Sequence, residues 1–215
     1  VQLQQRAFPT GETAYEIIVD GVFLMASYNR TSGGALTRYA LDALPIRPDS
    51  EARILVGGLG MGFTLQEALV EGVAAVDVAE LSNYIVDWNR AYFGEMNGHA
   101  LNDPRTQLLQ GDLYSVLEAA EIGAYHIIAL DVDNGPSWLA HEDNARLYTL
   151  ESLQRWTHLL APGGIFGVWS AQQEPEFLAT MKQVYTHVDE LPVTAQDHRP
   201  EIPNDYIYLG REPLA

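Results

Sequence analysis

Arg53-Ile54-Leu55-Val56-Gly57-Gly58-Leu59-Gly60-Met61-Gly62-Phe63-Thr64 is the stretch whose reading decides the fold. Ile54 to Val56 read as a short buried strand, glycines crowd the turn that follows, and Leu65, Ala68 and Leu69 recur on one helical face. Strand, tight turn and helix form the predicted unit. The glycines at 57, 58, 60 and 62 let backbone pass close to a ligand, and the helix start offers free N–H groups to polar or anionic atoms. About 20 residues on, at the end of the next apolar run, stands Glu80, where an acid can accept hydrogen bonds from both hydroxyls of a ribose.

On either side of this unit the same alternation continues. Upstream, residues 1–13 are polar and read as a frayed start, while 15–19 and 22–26 are β-rich runs joined by Asp20-Gly21, a strong hairpin signal. Residues 29–34 read as a turn-rich loop, and Leu36, Tyr39, Ala40, Ala43 and Leu44 keep helical spacing up to Pro45, with 45–50 as linker. Downstream, strands are predicted at 73–79, 106–110, 125–130 and 165–169. Helices are predicted through Ile85, Trp88, Asn89 and Tyr92, after Gly111-Asp112, over about 144–160, and over 176–185. Two late runs, 187–193 and 206–209, suit a closing antiparallel pair. The expected fold is therefore α/β: a Rossmann-like doubly wound sheet, mostly parallel with an antiparallel closing strand, preceded by a short N-terminal β-hairpin. Two units are expected, a hairpin and helix over 1–48 and a nucleoside-binding catalytic domain over 49–215.

With 215 residues the chain can bury a full core. It contains no apolar run long enough to cross a bilayer and no basic-then-apolar leader, so a soluble protein with no membrane partner is expected. Cysteine is absent, which excludes disulfides, thiolate metal sites and a cysteine nucleophile and suits a cytoplasmic location. Asn29-Arg30-Thr31 matches a glycosylation sequon by chance on this reading. Twelve basic against 29 acidic residues leave a formal charge of −17, a field that repels a phosphate backbone and argues against nucleic acid. The same field favours a cationic small molecule, such as a polyamine or a sulfonium nucleoside. Histidines at 99, 126, 141, 158, 187 and 198 show no metal-ligand spacing, so no metal is expected.

In open α/β sheets, ligands lie beyond the carboxyl ends of the strands. Four successive strands here end in the glycine turn, in Glu80, in Gly111-Asp112 and in Asp131. Glu80 can accept from ribose hydroxyls, Asp112 from an exocyclic amine of adenine, and Asp131 faces whatever is bonded next. Taken together, 53–67, Val76-Asp77-Val78-Ala79-Glu80, Asp103-Pro104-Arg105 leading to Gly111-Asp112, 125–131, Leu160-Ala161-Pro162-Gly163-Gly164 and Val19-Asp20-Gly21-Val22 resemble the spermidine synthase (polyamine aminopropyltransferase) family. That family lies within the class I S-adenosylmethionine-dependent methyltransferase fold. The resemblance spans about residues 15–170. It implies a donor that is S-adenosylmethionine or its decarboxylated form, held by Gly57, Gly58, Gly60, Gly62, Glu80 and Asp112. It implies Asp131 as the acid that orients or deprotonates an attacking amine, and a homodimer. Asp133, Asn134 and Trp138 are candidate substrate-binding residues on the loop beyond.

The departures fall on the amine side. Met61 occupies the slot of an Asp in the family's glycine motif, and Asn134 that of a second Asp after the catalytic one, with Asp133 displaced by one. Leu24 stands in for an amine-binding Gln, and Ser32-Gly33-Gly34 for a Tyr-His pair. The chain is also shorter at both ends than full-length members. The leading expectation is transfer of an aminopropyl group to an amine acceptor, with Asp143 a further candidate in a rearranged amine site. Its alternatives are a methyltransferase acting on a small molecule and a non-catalytic nucleoside-binding homologue, with a dinucleotide-dependent dehydrogenase behind them.

Overall fold

The computed structural model describes residues 1–8, 11, 13–28, 30–45, 51–194 and 204–214. Asn29 of the sequon, residues 46–50 of the linker and the boundary between the two expected units lie outside these. The predicted hairpin is β2 (Thr13–Val19) and β3 (Val22–Ala26), and β1 (Gln2–Ala7) extends it to a three-stranded antiparallel sheet in the order β1-β2-β3. Residues 2–7, read from sequence as frayed, are thus a strand. Nearly all of β1 is exposed, so no apolar alternation marks it; pairing with β2 from Gln2↔Ile18 to Ala7↔Thr13 and an Arg6–Glu16 ion pair of 3.2 Å hold it.

The helix α1 (Arg30–Ala43) begins six residues before the predicted start. Thr31-Ser32-Gly33-Gly34 has turn composition, but tertiary packing overrides that propensity. A side chain at Gly34 would meet Glu67 at 3.1 Å, so small residues here let α1 lie close against the next helix. Its Ala35, Leu36 and Ala40 are fully buried against the main sheet.

That sheet has seven strands. β4 (Arg53–Gly57) leads through the glycine turn into α2 (Phe63–Val70), and β5 (Ala75–Glu80) into α3 (Asn83–Trp88) and α4 (Gly94–Asn97). β6 (Thr106–Gln110) precedes α5 (Leu113–Ala119), and β7 (Tyr125–Leu130) precedes α6 (Leu150–Thr157). β8 (Leu160–Ser170), α7 (Pro175–Met181), β9 (Tyr185–Thr194) and β10 (Asn204–Pro213) complete it. The order is β6-β5-β4-β7-β8-β10-β9, with β6, β5, β4, β7 and β8 parallel and β10 antiparallel to both its neighbours. The strand order reverses between β4 and β7, which makes their carboxyl ends the place where a ligand crevice opens.

Both faces of the sheet are covered. Ile54, Val56, Ile127, Ala129 and Ile165 point to the α1–α2 side, and Leu55, Ile128, Leu130, Phe166 and Val168 to the side of α5, α6 and α7. Each such large apolar side chain contributes roughly 1.5–3 kcal/mol by leaving water, which is why these strands read as unbroken apolar runs.

Two local departures from expectation have clear causes. Instead of one helix over 144–160, a 3-10 segment (Glu142–Tyr148) gives way at Thr149, whose side chain accepts the Ser152 N–H at 3.2 Å and caps α6. A five-residue π turn (Asn89–Phe93) rotates the face after α3, so Phe93 is fully buried while Tyr92, expected inward, is 52% exposed. Trp156 and Trp169 are buried, and Trp88 is half-buried.

Candidate active site

At the tip of β4 the chain turns through Gly58, whose φ is +91° and whose missing Cβ would lie 2.2 Å from the carbonyl oxygen of Asp131. Only glycine lets the β4 turn come this close to the β7 tip. The contact is fixed from both sides: Asp131 N–H donates to Gly57 O at 2.7 Å, and Gly58 N–H to Ala79 O at 2.9 Å. Behind the turn, Asn89 donates to Gly60 O at 2.7 Å and Asn97 to Met61 O at 2.9 Å, and the two amides bond each other at 2.8 Å. Sequence reading sets Asn89 on the inward face of its helix but misses its pairing with Asn97 and the role of both amides beneath the glycine turn. With those carbonyls held outward, Gly58 and Gly60 present backbone to the cavity. Gly57 and Gly62 are not in its wall; Gly57 packs on Leu113, and Gly62 opens α2.

Glu80 ends β5 and is buried. Its Oε2 accepts from Leu59 N–H at 3.0 Å and its Oε1 from Ser82 N–H at 2.8 Å. Burial raises its pKa, and these backbone donors work against that rise without cancelling it. The Gly60 and Leu81 N–H groups also bear on this carboxylate, so ribose hydroxyls would share its oxygens with backbone donors. Asp112 caps α5, and its Oδ2 takes Ser115 N–H at 3.2 Å, Ser115 Oγ at 2.9 Å and Arg146 at 2.8 Å. Burial opposes its charge, but Ser115 and Arg146 outweigh it and hold the carboxyl below its ordinary range. Among the described residues Oδ1 has no such partner, and Asp112 lines the cavity. Ala79, Leu81, Ile85 and Leu113 complete this part of the wall, which sets apolar side chains beside the acids, as small-molecule pockets commonly do.

Asp131 follows β7 directly and also lines the cavity. Its Oδ2 is held by a short hydrogen bond from Thr64 Oγ1 in the first turn of α2. Burial pushes its pKa up to about 6, with Thr64 pulling down and the charge of Asp205 pushing up. Asp131 is partly exposed, and it stands in the cavity wall.

Beyond it the three candidate substrate-binding residues of the loop take different positions. Asp133 is in the wall, with φ +59° and a carboxylate occupied by Ala140 N–H at 3.0 Å and Asn144 Nδ2 at 2.8 Å. Burial raises its pKa, while those donors and His141 oppose the rise. Asn134 is buried outside the wall and donates to Phe23 O at 2.9 Å, tying the N-terminal sheet to this loop. Trp138 is also outside the wall and packs on the core beneath it.

The opposite wall comes from the N-terminal sheet and α1: Val19, Leu24, Met25, Ser32 and Gly33. Met25 Sδ accepts the Met61 N–H at 3.2 Å. Met61 itself is fully buried among Ile17, Val19, Phe63 and Phe93, away from the cavity. Among the described wall residues the charged side chains are those of Glu80, Asp112, Asp131 and Asp133, with His141 beside them and no lysine or arginine; Val1, with its α-amino group, also lies in the wall. Among the described residues no cluster of His, Asp and Glu suits a metal ion. No helix there is long and apolar enough to cross a membrane.

No protein-family model matches the chain. Among curated proteins it is 30% identical over 121 residues to putrescine N-methyltransferase 1 of Nicotiana tabacum, covering 55% of this chain and 30% of that protein. It is 31% identical over 127 residues to the polyamine aminopropyltransferase of Pyrobaculum calidifontis, covering 57% and 42%. A third relative, the polyamine aminopropyltransferase of Korarchaeum cryptofilum, is 27% identical over 117 residues, covering 54% and 35%. The chain thus spans less than half the length of these curated relatives. Among solved structures, spermidine synthase from Thermotoga maritima superposes with a TM-score of 0.75 at 14% identity, over 98% of this chain and 68% of that one. A spermidine synthase in complex with the transition state analogue AdoDATO gives 0.79 at 14%, over 98% and 70%. The fold is that of the spermidine synthases, a mostly parallel seven-stranded sheet with an N-terminal antiparallel sheet of three.

Proposed function

We propose that the protein is an alkyl-group transferase that binds an adenosyl sulfonium and passes its aminopropyl group to an amine. The observation that carries this reading is Asp131, a partly buried carboxyl at the strand-order reversal, in the wall of a cavity also lined by Gly58, Gly60, Glu80 and Asp112. Glu80 and the free oxygen of Asp112 are the partners offered to ribose and adenine. The sulfonium and an ammonium group are both cationic, and four carboxylates without a lysine or arginine suit them. A donor that kept its carboxylate would meet only like charge from these side chains, so the decarboxylated form fits better.

In the reaction the nitrogen lone pair forms the N–C bond, the C–S electron pair returns to sulfur as a neutral thioether, and the surplus proton leaves nitrogen. Asp131 receives that proton. With its pKa at about 6 it is largely ionised at neutral pH and more basic than an exposed carboxylate, the compromise that general-base catalysis favours. The remaining acceleration comes from holding the two substrates in line.

Methyl transfer to an amine is the second reading, supported by the match to putrescine N-methyltransferases and by the apolar Val19, Leu24 and Met25 on the amine side of the wall. Both classes of relative are named for diamine or polyamine substrates, which supports an acceptor of that class. Calorimetric titration with decarboxylated S-adenosylmethionine, S-adenosylmethionine, methylthioadenosine and a dinucleotide decides among these. Preference for the decarboxylated donor, with turnover of putrescine lost in Asp131→Asn, is the expected result. Preference for the carboxylated donor selects methyl transfer, and preference for the dinucleotide discards both.

A further inference from the structure

We infer that Thr64 is a positioning residue for Asp131: its one hydroxyl hydrogen pins Oδ2 and leaves Oδ1 as the oxygen that receives the proton. This inference rests on the reading of Asp131 as the general base. Thr64 is 2% exposed, and its place is fixed independently of its hydroxyl, because its carbonyl accepts from Thr37 Oγ1 at 3.2 Å. The hydroxyl oxygen sits between two acceptors, Asp131 Oδ2 and the Gly33 carbonyl at 3.0 Å. It has a single hydrogen to give. Of the two acceptors, Oδ2 makes the shorter contact and takes that hydrogen.

When Asp131 is ionised, the hydroxyl donates to Oδ2. A proton taken up at Oδ1 leaves Oδ2 as a carbonyl oxygen that still accepts this hydrogen. Thr64 therefore stays hydrogen-bonded in both protonation states, and it favours the ionised one because a bond to a charged acceptor is the stronger. Among the described residues Thr64 is the one side chain hydrogen-bonded to this carboxyl. The groups that face Asp131 offer no counter-charge from a lysine or arginine. Asp205 acts on it from β10, Tyr148 from the 3-10 segment and Asp133 from its own loop, and Glu80, Asp112 and His141 share the cavity. The downward pull of Thr64 on the pKa is in keeping with the geometry.

The test compares wild type, Thr64→Val and Thr64→Ser by carbon-detected NMR titration of the Asp131 carboxyl and by pH–rate profiles with decarboxylated S-adenosylmethionine and putrescine. Thr64→Val keeps the shape and removes the hydroxyl. Its titration midpoint and the acidic limb of its rate profile are expected to rise by about one pH unit, since a hydrogen bond to the charged form is lost. Thr64→Ser should bring both back to the wild-type position, and affinity for methylthioadenosine should be the same in all three. A Thr64→Val midpoint equal to wild type overturns the inference. Should valine prevent folding, Thr64→Ala reports the same midpoint. The NMR titration needs no turnover: wild type that binds no adenosyl ligand defeats the functional reading alone, and active wild type with an unshifted Thr64→Val defeats this inference alone.

Discussion

Replacing Asp131 by Asn should abolish turnover and make the protein more stable. Burial raises the Asp131 pKa from an ordinary 3.8 to about 6 in the folded chain. The sign follows from proton linkage. The folded state holds this proton more tightly than the unfolded state, so between pH 4 and 6 stability falls as pH rises; the penalty is fully present above about 6 and absent below 3.8. At 1.36 kcal/mol per pH unit the rise corresponds to about 3 kcal/mol, and because Asp131 is partly exposed, about 1–3 kcal/mol is the expected range. Against a typical domain stability of roughly 5–15 kcal/mol that is easily measured. Asn keeps the acceptor for Thr64 and never ionises. Urea unfolding of both proteins at pH 4 and pH 8 is the assay. The expected result is a gain for Asp131→Asn at pH 8 that largely disappears at pH 4. A difference that does not change between those values, or a wild type that is the more stable at pH 8, refutes the claim that Asp131 is held charged at the expense of the fold.

Glu80→Gln should weaken methylthioadenosine binding by about 10–100-fold, because hydrogen bonds to a charged acceptor are worth roughly 1.5–3 kcal/mol; calorimetry reads it, and an unchanged Kd removes Glu80 from the nucleoside site. Gly58→Ala should be destabilised by about 2–5 kcal/mol, since its new Cβ would combine a φ of +91° with a 2.2 Å approach to the Asp131 carbonyl. Thermal unfolding checks this, and a Tm within a degree of wild type contradicts the tight apposition of the β4 and β7 tips.

Much of the architecture is legible because parallel strands covered on both faces have to be apolar throughout. Residues 54–56, 125–130 and 165–169 announce themselves that way, and the acids that follow mark the strand ends. β1 leaves no such trace: its side chains face water and its stability comes from ladder bonds that any residue can make. The early start of α1 is hidden by Gly33 and Gly34, whose turn-like composition instead serves close helix packing. The contact of Thr64 with Asp131 spans 67 positions and exists only because the reversal of strand order sets β4 beside β7. Asn89 falls on the predicted inward face of its helix and Asn97 in a predicted loop, and only the fold shows that the two amides meet beneath the glycine turn.

β10 follows β9 in sequence yet lies inside the sheet, between β8 and β9. During synthesis, β9 therefore emerges with no neighbour to bond, while β8 offers a bare edge for as long as the ribosome still holds residues 204–213. Five parallel strands can assemble before that moment, but the sheet cannot be sealed. The interval is one of exposure to pairing with other chains, and it ends when the β9–β10 pair lays its β10 edge on β8.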